Sequence, residues 1–458
     1  MRNQSVAIVG SGPSAFFAAQ NLLRSDSNLK VDMYERLPVP FGLVRFGVAP
    51  DHQKIKAVTR VFDTVAGSER FRFFGNVRVG HDIGVETLTT LYSALLIATG
   101  ASGGTPLGIK NEWLPGIVDA ADFVGWYNGH PDYASLPIDL ATVRSVVIIG
   151  QGNVACDVAR ILASAPDRLA ASDISGYALS QLRTSSISSI RIVGRRGPAQ
   201  LKVTAAELRE LVSLEGWHVA IDPRYLELND VSLVELADSR SAMQRTLVEI
   251  LSTLGHREHP HGADDRIIEF DFLRSPKAVQ GTDRVTGLEL TSNRLSGPPF
   301  GQIALSEDTV STVPCDLLVR CVGYRGQRVD GIPFDDLSAR IPNLEGRVVD
   351  AQGNRIPGLY TTGWIKRGPT GVIGTNLSDS TETTKHMLGD LVGMPADRPA
   401  PDLAFIRSLT KSPIVSWNDW CAINEQEISS GRHLGKPREK LTSIEDMIHT
   451  GLSKDITA

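Results

Sequence analysis

The stretch SVAIVGSGPSA at residues 5–15 decides the fold of this chain. Residues 4–9 form a short, largely apolar run of the kind that is buried on both faces of a parallel sheet. Gly10 and Gly12 follow at once, and an apolar pattern at helical spacing comes after them. Since residues 29–34 have the composition of a second strand, the chain is predicted to begin with a strand, a glycine turn, a helix and a parallel strand.

The same order of elements returns in the middle of the chain. Residues 145–155 have the sequence SVVIIGQGNVA, in which 145–149 is predicted to be a strand and the glycines a turn. A helix is expected over 158–163, and SIRIV at 189–193 is the next strand. The chain is therefore predicted to contain two units of the type that binds dinucleotides.

Each of the two turns has the form Gly-x-Gly-x-x-Ala. The residues are Gly10, Gly12 and Ala15 in the first unit, and Gly150, Gly152 and Ala155 in the second. Glycines let the backbone approach a pyrophosphate, while the helix N-terminus offers N–H donors and a partial positive charge. A glycine turn without a ligand is the alternative, but the strand before and the helix after each turn favour binding.

The two units differ in charge at the end of their second strand. Glu35 stands there in the first unit, 25 residues after Gly10, where a carboxylate binds ribose hydroxyls and repels a 2′-phosphate. Arg195 and Arg196 stand there in the second unit, and guanidinium groups match phosphate geometry. Paired arginines are commonly a solvated surface pair, but beside a dinucleotide turn they favour phosphate. The first unit is predicted to hold FAD or NAD, and the second NADP.

Together these patterns indicate FAD and NADP exchanging a hydride, with two nicotinamide sites as the alternative. A flavin also needs its ring held, and WIKRGPTGVIG at residues 364–374 suits that task. A helix beginning near Gly371 would direct its positive end at the isoalloxazine. A structural loop with a packed Trp364 is the other interpretation.

Composition and charge exclude several classes of protein. Of the 458 residues, 41% are apolar and 22% charged, as in ordinary globular proteins, and the net charge of -5 argues against binding to nucleic acid or to an anionic membrane. No apolar run is long enough to span a bilayer, and the glycine turn interrupts the apolar start, so we expect mature structure there rather than a secretory leader. The four cysteines form no Cys-x-x-Cys pair, which predicts no metal or iron–sulfur site and favours a cytoplasmic location.

The expected fold class is α/β, with two Rossmann-like dinucleotide-binding domains, the NADP domain being inserted into the FAD domain. Strands ending in glycine are expected within 91–100 and 316–323, where the chain crosses between domains. The predicted domains are 1–104 for the first FAD segment, 105–324 for the NADP domain, and 325–458 for the second FAD segment with a helical tail.

Three further residues are weaker candidates for the site. His52 ends a glycine-punctuated loop, from which it could orient a nicotinamide or a carboxylate. Glu207 and Glu210 are three residues apart and so share one face of a predicted helix. A lone loop histidine and a pair of helical glutamates are more commonly structural or solvated.

Seven motifs together identify a family resemblance. They are GSGPSA (10–15), PFGLVRFGVAPDH (40–52), FVGWYNG (123–129), GQGNVACDVARIL (150–162), GRRGP (194–198), ELREL (207–211) and GWIKRGPTGVIGTN (363–376). In this order and spacing the chain resembles the adrenodoxin reductase family, and most closely its bacterial NADPH-ferredoxin reductases. The resemblance extends from about Val6 to Lys440.

The resemblance implies a ferredoxin–NADP reductase. A hydride passes from NADPH to the flavin N5, and single electrons then pass to a separate ferredoxin, a small acidic iron–sulfur protein. A cytochrome P450 system or iron metabolism are the pathways left open. The mitochondrial members have a denser basic segment for this partner than Arg240, Arg245 and Arg257 provide here.

The resemblance also assigns residues by motif. Those that match FAD-contacting positions are Ala15, Glu35, Leu43, Val79, Trp364, Gly371, Val372 and Ile373. Those that match NADP-contacting positions are Gln151, Gly152, Asn153, Val154, Arg195, Arg196, Glu207 and Gly371. His52 and Glu210 match a pair near the nicotinamide, where their role would be positioning and electrostatics.

Two alternatives belong to other functional classes. A flavin monooxygenase shares both glycine motifs, but Phe123, Gly125 and His130 miss the F-x-G-x-x-x-H signature of that class by one residue. A non-catalytic NADP-binding sensor would retain the fold without the flavin. Disulfide reductases are excluded by the missing dithiol.

Overall fold

The computed structural model describes residues 3–255, 265–393 and 397–453. The chain forms two compact units. The first comprises Met1–Gly103, Asn128–Ala134 and Tyr324–Ala458, and the second comprises Gly104–Tyr127 and Ser135–Gly323.

The strands are β1 (Asn3–Val9), β2 (Lys30–Tyr34), β3 (Phe71–Phe74), β4 (Ala94–Ile97), β5 (Gly103–Gly104), β6 (Ile117–Asp119), β7 (Ser145–Ile149), β8 (Ser189–Val193), β9 (His218–Ile221), β10 (Ile267–Asp271), β11 (Arg274–Gln280), β12 (Gly287–Ser296), β13 (Ile303–Pro314), β14 (Leu317–Arg320), β15 (Tyr324–Arg325), β16 (Asn343–Leu344), β17 (Arg347–Val349), β18 (Arg355–Thr361) and β19 (Asp397–Arg398).

The helices are α1 (Pro13–Ser25), α2 (Leu43–Phe46), α3 (Gln53–Lys56), α4 (Thr59–Ala66), α5 (Val85–Leu91), α6 (Ala120–Tyr127), α7 (Asn153–Ala163), α8 (Pro166–Ala170), α9 (Gly176–Arg183), α10 (Ala205–Val212), α11 (Asp230–Ala237), α12 (Ala242–Gly255), α13 (Trp364–Arg367), α14 (Ile373–Leu391), α15 (Leu403–Leu409), α16 (Trp417–His433) and α17 (Ile444–Leu452). Among these described helices, none has both the length and the apolar character that crossing a bilayer requires.

The first unit is built on one sheet with the strand order β16-β17-β18-β4-β1-β2-β3. The strands from β18 to β3 are parallel, so their carboxyl ends meet at one edge. In β1, Val6, Ala7 and Ile8 are fully buried, because apolar clusters cover both faces of the sheet. This explains why β1 is apolar without alternation.

The second unit contains a parallel sheet with the order β6-β14-β7-β8-β10-β9. A separate antiparallel sheet of β11, β12 and β13 belongs to the same unit. The predicted α/β class, with one Rossmann-like unit inserted into another, is confirmed. The strands predicted at 145–149 and 189–193 have those bounds in the structure.

One short segment belongs to a different unit from the one that the sequence predicts. Asn128–Ala134 packs with the first unit, although it lies within the predicted domain 105–324. The buried amide oxygen of Asn128 accepts hydrogen bonds from Lys56 (3.2 Å) and Lys440 (3.4 Å). Asp132 forms an ion pair with Arg36 at 2.8 Å. These partners are distant in sequence, so no local sequence pattern predicts that Asn128–Ala134 belongs to the first unit.

A buried ion pair joins α2 to the C-terminal helix α16. Arg45 donates to both carboxylate oxygens of Glu427, at 2.9 and 2.5 Å, and both side chains are almost fully buried. The guanidinium lies 5.0 Å from the ring centroid of Phe46 and 5.3 Å from that of Trp420. Because removing Glu427 would leave the buried guanidinium without its carboxylate, this pair fixes the position of α2 against α16.

His130 is the buried titratable group of the returning segment. Its Nδ1 accepts from the backbone N–H of Asp132 at 3.2 Å, its Nε2 lies 3.4 Å from Arg36, and its ring packs against Phe46. Burial lowers the pKa of His130 to about 4; Asp132 opposes this shift, while Arg36 and Arg45 add to it. The imidazole is therefore neutral in the folded protein near neutral pH.

We expect His130→Gln to flatten the acid side of the stability profile. Between pH 6.5 and 4 the unfolded chain binds a proton on this histidine that the folded protein does not, so stability falls as the pH falls through that window. The midpoint of thermal unfolding, followed by circular dichroism from pH 7 to 4, should fall less steeply in this variant than in the wild type. His81→Gln, at an exposed site, is the control. Equal slopes in all three proteins would contradict the prediction.

Candidate functional site

The first glycine turn depends on a close approach between two backbones. Gly10 has a φ of 101°, and its N–H donates to the carbonyl oxygen of Tyr34 at 2.8 Å. A Cβ atom on Gly10 would lie 2.5 Å from the carbonyl oxygen of Ala98. Gly12 caps α1 without a side-chain hydrogen bond, and a Cβ there would meet nothing within 4 Å. The helix N-terminus thus faces open space that can accommodate a phosphate.

Glu35 is held against this turn. One carboxylate oxygen accepts from the backbone N–H of Ser11 at 3.1 Å and from its hydroxyl at 2.6 Å. The other accepts from the N–H of Leu37 at 3.1 Å. The carboxylate is therefore fixed at the carboxyl end of β2, where it is expected to bind ribose hydroxyls.

The loop that contains Leu43 lies on the same turn. Phe41 has a φ of 84° and donates its N–H to the carbonyl oxygen of Ser11 at 3.0 Å. A Cβ on Gly42 would lie 3.3 Å from the Cα of Gly12. Leu43 follows as the first residue of α2 and is half-buried. Val79 is buried elsewhere in the first unit, in the apolar cluster that contains Tyr34.

The Trp364 loop meets the first turn of α1. A Cβ on Gly363 would lie 2.3 Å from the hydroxyl oxygen of Ser14, which shows how closely the two segments approach. The N–H of Gly363 donates to Asp379 at 2.5 Å, and Lys366 forms an ion pair with the same carboxylate at 3.0 Å. The start of α13 is thereby bound to α14.

Trp364 is held from two sides. Its ring stacks on Tyr324, with the centroids 5.8 Å apart, and its Nε1 donates to the carbonyl oxygen of Thr370 at 3.2 Å. α14 begins at Ile373, two residues after the predicted position at Gly371. Val372, immediately before this helix, is 65% exposed, so the helix N-terminus is open.

The second unit repeats the close approach of the first. Gly150 has a φ of 125°, and a Cβ there would lie 2.3 Å from the carbonyl oxygen of Cys321. Its N–H donates to the carbonyl oxygen of Val193 at 2.8 Å. Gly152 caps α7, again with no side-chain hydrogen bond.

A cavity of about 580 Å³ opens at this turn. Its lining residues are Thr105, Pro106, Leu107, Ile149, Gly150, Gln151, Gly152, Val193, Gly194, Arg195, Arg196, Gln200, Lys202, Arg274, Ser275, Pro276, Cys321 and Val322. Four of these described lining residues are basic and none is acidic. The chemistry of the lining suits an anion.

The arginine loop is held by its backbone. The carbonyl oxygens of Gly194, Arg195 and Arg196 accept from the N–H of Arg274 (3.0 Å), the side-chain amide of Asn293 (3.1 Å) and the N–H of Leu273 (3.2 Å). All three donors lie at or near the antiparallel sheet that β11 begins.

The two guanidinium groups themselves form no ion pair with any residue that the structure describes. Burial, and then the neighbouring charge of Arg195, lower the pKa of Arg196. A bound anion would oppose both effects, because a nearby negative charge stabilises the charged guanidinium.

Gln151 and Asn153 flank the second turn. Gln151 Nε2 is buried without a hydrogen-bond partner in the described part of the chain. Asn153 accepts the N–H of Thr204 at 2.9 Å, and Thr204 caps α10 by accepting the N–H of Glu207 at 3.2 Å. Val154 continues the first turn of α7. The predicted residues 151–154 and Glu207 are thus brought to one end of the second unit.

His52 and Glu210 occupy different units. His52 precedes α3 in the first unit and is half-buried. Glu210 lies on α10 of the second unit, 3.6 Å from the fully buried Arg160. Their predicted pairing near a nicotinamide stays a prediction from the resemblance.

Lys202 and Arg274 line the cavity and were not predicted from the sequence. Arg274 follows β10, which pairs with β8 in parallel, so its position could be found from the rule that parallel carboxyl ends share an edge. Lys202 is the third basic residue within 195–202. Its nearness to Gly152 comes from a backbone bridge that no periodicity predicts.

We expect Gly12→Ala and Gly152→Ala to fold but to lose ligands. Both positions have extended backbone and room for a methyl group, which would occupy the space above each helix N-terminus. Gly12→Ala should purify with little flavin, and Gly152→Ala should bind NADP⁺ about tenfold more weakly by calorimetry.

Gly10→Ala and Gly150→Ala are the matched controls. In these two, the added methyl group meets a backbone carbonyl at a positive φ, so the midpoint of thermal unfolding should fall. Full flavin content in Gly12→Ala would contradict the assignment of the first turn.

The chain is similar to known oxidoreductases that use pyridine nucleotides. Residues 4–175 match the family model described as pyridine nucleotide-disulphide oxidoreductase. The chain is 42% identical to the NADPH-ferredoxin reductase FprA of Mycobacterium tuberculosis, over 99% of this chain and 100% of that protein. It is also 42% identical to the mitochondrial NADPH:adrenodoxin oxidoreductase of Bos taurus, over 97% of this chain and 91% of that protein.

A solved structure agrees with these relatives. That of Mycobacterium tuberculosis FprA in complex with NADPH matches with a TM-score of 0.88 and 40% identity, over 98% of this chain and 100% of that one. The chain therefore belongs to the family of the NADPH-ferredoxin reductases and NADPH:adrenodoxin oxidoreductases.

Proposed function

We propose that the chain is an FAD-dependent NADPH:ferredoxin oxidoreductase. The observation that carries the proposal is the opposite charge at the ends of β2 and β8. A carboxylate is fixed beside the first glycine turn, and two arginines without carboxylate partners among the described residues lie beside the second. One site suits unmodified ribose hydroxyls and the other an additional phosphate.

The first unit would hold FAD. The residues concerned are Gly10, Gly12, Ala15, Glu35, Leu43, Val79, Trp364, Gly371, Val372 and Ile373. Its open helix N-terminus would bind the pyrophosphate, and Glu35 would accept from the ribose hydroxyls. The exposed N-terminus of α14 would favour negative charge on the ring system. FAD would supply the conversion between a two-electron hydride donor and a one-electron acceptor.

The second unit would hold NADP. Arg195 and Arg196 would bind the 2′-phosphate, and Gly152 would let the backbone approach the pyrophosphate. Gln151 Nε2 is buried and has no hydrogen-bond acceptor in the described chain. Because buried donors are normally hydrogen-bonded, an oxygen atom of the ligand would be a suitable acceptor. Asn153, Val154 and Glu207 would complete this end of the site. His52 and Glu210 would position the nicotinamide, since hydride transfer needs no protein nucleophile.

The proposed partner is a ferredoxin-type iron–sulfur protein, with a cytochrome P450 system as one downstream user. Arg240 is already paired with Asp238, through two contacts of 2.9 Å, and Arg245 donates to the carbonyl oxygens of Leu236 and Asp238 at 2.6 and 2.8 Å. These two arginines therefore serve the local fold, and Arg257 lies outside the described residues.

We place the protein in the cytoplasm, because its cysteines are free thiols, of which Cys156 and Cys315 are buried.

The experiment is to purify the protein, record its visible spectrum, and follow NADPH-driven reduction of cytochrome c with and without added ferredoxin. We expect a yellow protein with flavin bands near equimolar content, and reduction of cytochrome c that increases severalfold when ferredoxin is present. A colourless protein that binds NADP⁺ would point to the sensor instead. NADPH-dependent oxygen insertion into an organic substrate would point to the monooxygenase.

Replacing Arg195 and Arg196 together by Ala should erode the preference for NADPH over NADH. A charged hydrogen bond is worth about 1.5–3 kcal/mol, so losing the pair should lower kcat/KM for NADPH about 100-fold or more and change that for NADH only a few-fold. The matched control is Arg168→Ala with Arg183→Ala, two exposed arginines of the same unit. An unchanged ratio of the two efficiencies would refute the assignment of the second unit.

A further inference from the structure

The cavity of the second unit contains more positive charge than the 2′-phosphate needs. NADP also carries a pyrophosphate with two negative charges, whereas the N-terminus of α7 offers about half a charge. Arg195 and Arg196 follow β8, the strand that pairs with β7, and are not part of the glycine turn that leads into α7. A further cation beside the helix N-terminus would therefore offset charge that the helix leaves unbalanced.

Lys202 lies at that place. Its backbone forms a parallel bridge with Gly152, and a Cβ on Gly152 would lie 3.7 Å from the carbonyl oxygen of Lys202. Two residues later, Thr204 donates its N–H to Asn153 at 2.9 Å. The segment 202–204 thus runs beside the first residues of α7, and the lysine lines the cavity.

Lys202 is also available for a ligand. It forms no ion pair with any residue in 3–255, 265–393 or 397–453, and no carboxylate is among the cavity-lining residues. Arg274, the fourth basic residue of the lining, differs in this respect. Its guanidinium donates to Ser292 at 2.7 Å and to Ser311, and lies 3.8 Å from Asp271.

We propose that Lys202 binds the pyrophosphate of NADP and so sets affinity for the dinucleotide without selecting between NADP and NAD. The inference rests on the proposed function, whose arginine pair selects the 2′-phosphate. A lysine acts as a mobile point charge rather than as a planar fork, which suits a phosphate that both dinucleotides share.

The test compares Lys202→Met with the Arg195→Ala and Arg196→Ala double variant. Binding of NADP⁺ to the oxidised holoenzyme is measured by calorimetry, and ADP and adenosine 2′-monophosphate are titrated as competitors. Lys202→Met should weaken NADP⁺ and ADP about tenfold and leave adenosine 2′-monophosphate within twofold. The double variant should weaken adenosine 2′-monophosphate and leave ADP nearly unchanged. Lys277→Met, an exposed lysine of β11 outside the cavity lining, is the control for net charge.

The outcomes distinguish a failure of the proposed function from a failure of the role proposed for Lys202. If the wild type binds no NADP⁺, the proposed function fails. If the wild type binds NADP⁺ and Lys202→Met binds it equally well, only the role of Lys202 is overturned. A larger loss for adenosine 2′-monophosphate than for ADP would also overturn it, because the lysine would then contact the 2′-phosphate.

Discussion

The close passage of a glycine backbone against a neighbouring carbonyl is the constraint on which both sites depend. It occurs where β1 ends beside Ala98 and where β7 ends beside Cys321. In each case a side chain would push the turn away from the adjoining segment. Because the turn stays flush with the sheet, the following helix starts with its N-terminus over the strand ends, where Glu35 or Arg195 also lies.

The two glycine turns thus share one backbone geometry but have side chains of opposite charge beside them, a carboxylate in the first unit and arginines in the second. In the first unit the carboxylate is fixed in place by donors from Ser11 and Leu37. In the second unit the arginine side chains form no ion pair with a described carboxylate, although the charge of Glu235 acts on Arg196, and their backbone is held by three hydrogen bonds. The hydrogen-bonded backbone and the basic lining together produce a site that is organised for an anion before it arrives.

Local sequence patterns predicted those secondary-structure elements whose positions depend on residues adjacent in the chain. The strand at 145–149 and the start of α14 follow from apolar runs and glycines that lie next to each other in sequence. The return of Asn128–Ala134 to the first unit depends on Lys56 and Lys440, which are far away in the chain. Asn293 reaches the arginine loop from β12, at a break in its pairing with β13. Such contacts are set by tertiary packing, so neither spacing nor composition revealed them.

The sheet of the first unit also has a consequence for biosynthesis. β18 pairs with β4, and Thr361 reaches the carbonyl oxygen of Ile97 across 264 residues of chain. During synthesis the edge of β4 therefore stays unpaired until β18, which ends at Thr361 of the 458 residues, has emerged from the ribosome. The inserted unit can fold before β18 is synthesised, whereas the sheet of the first unit stays incomplete until then. The first unit therefore begins to be synthesised before the second unit, but its sheet can be completed only after the second unit has been made.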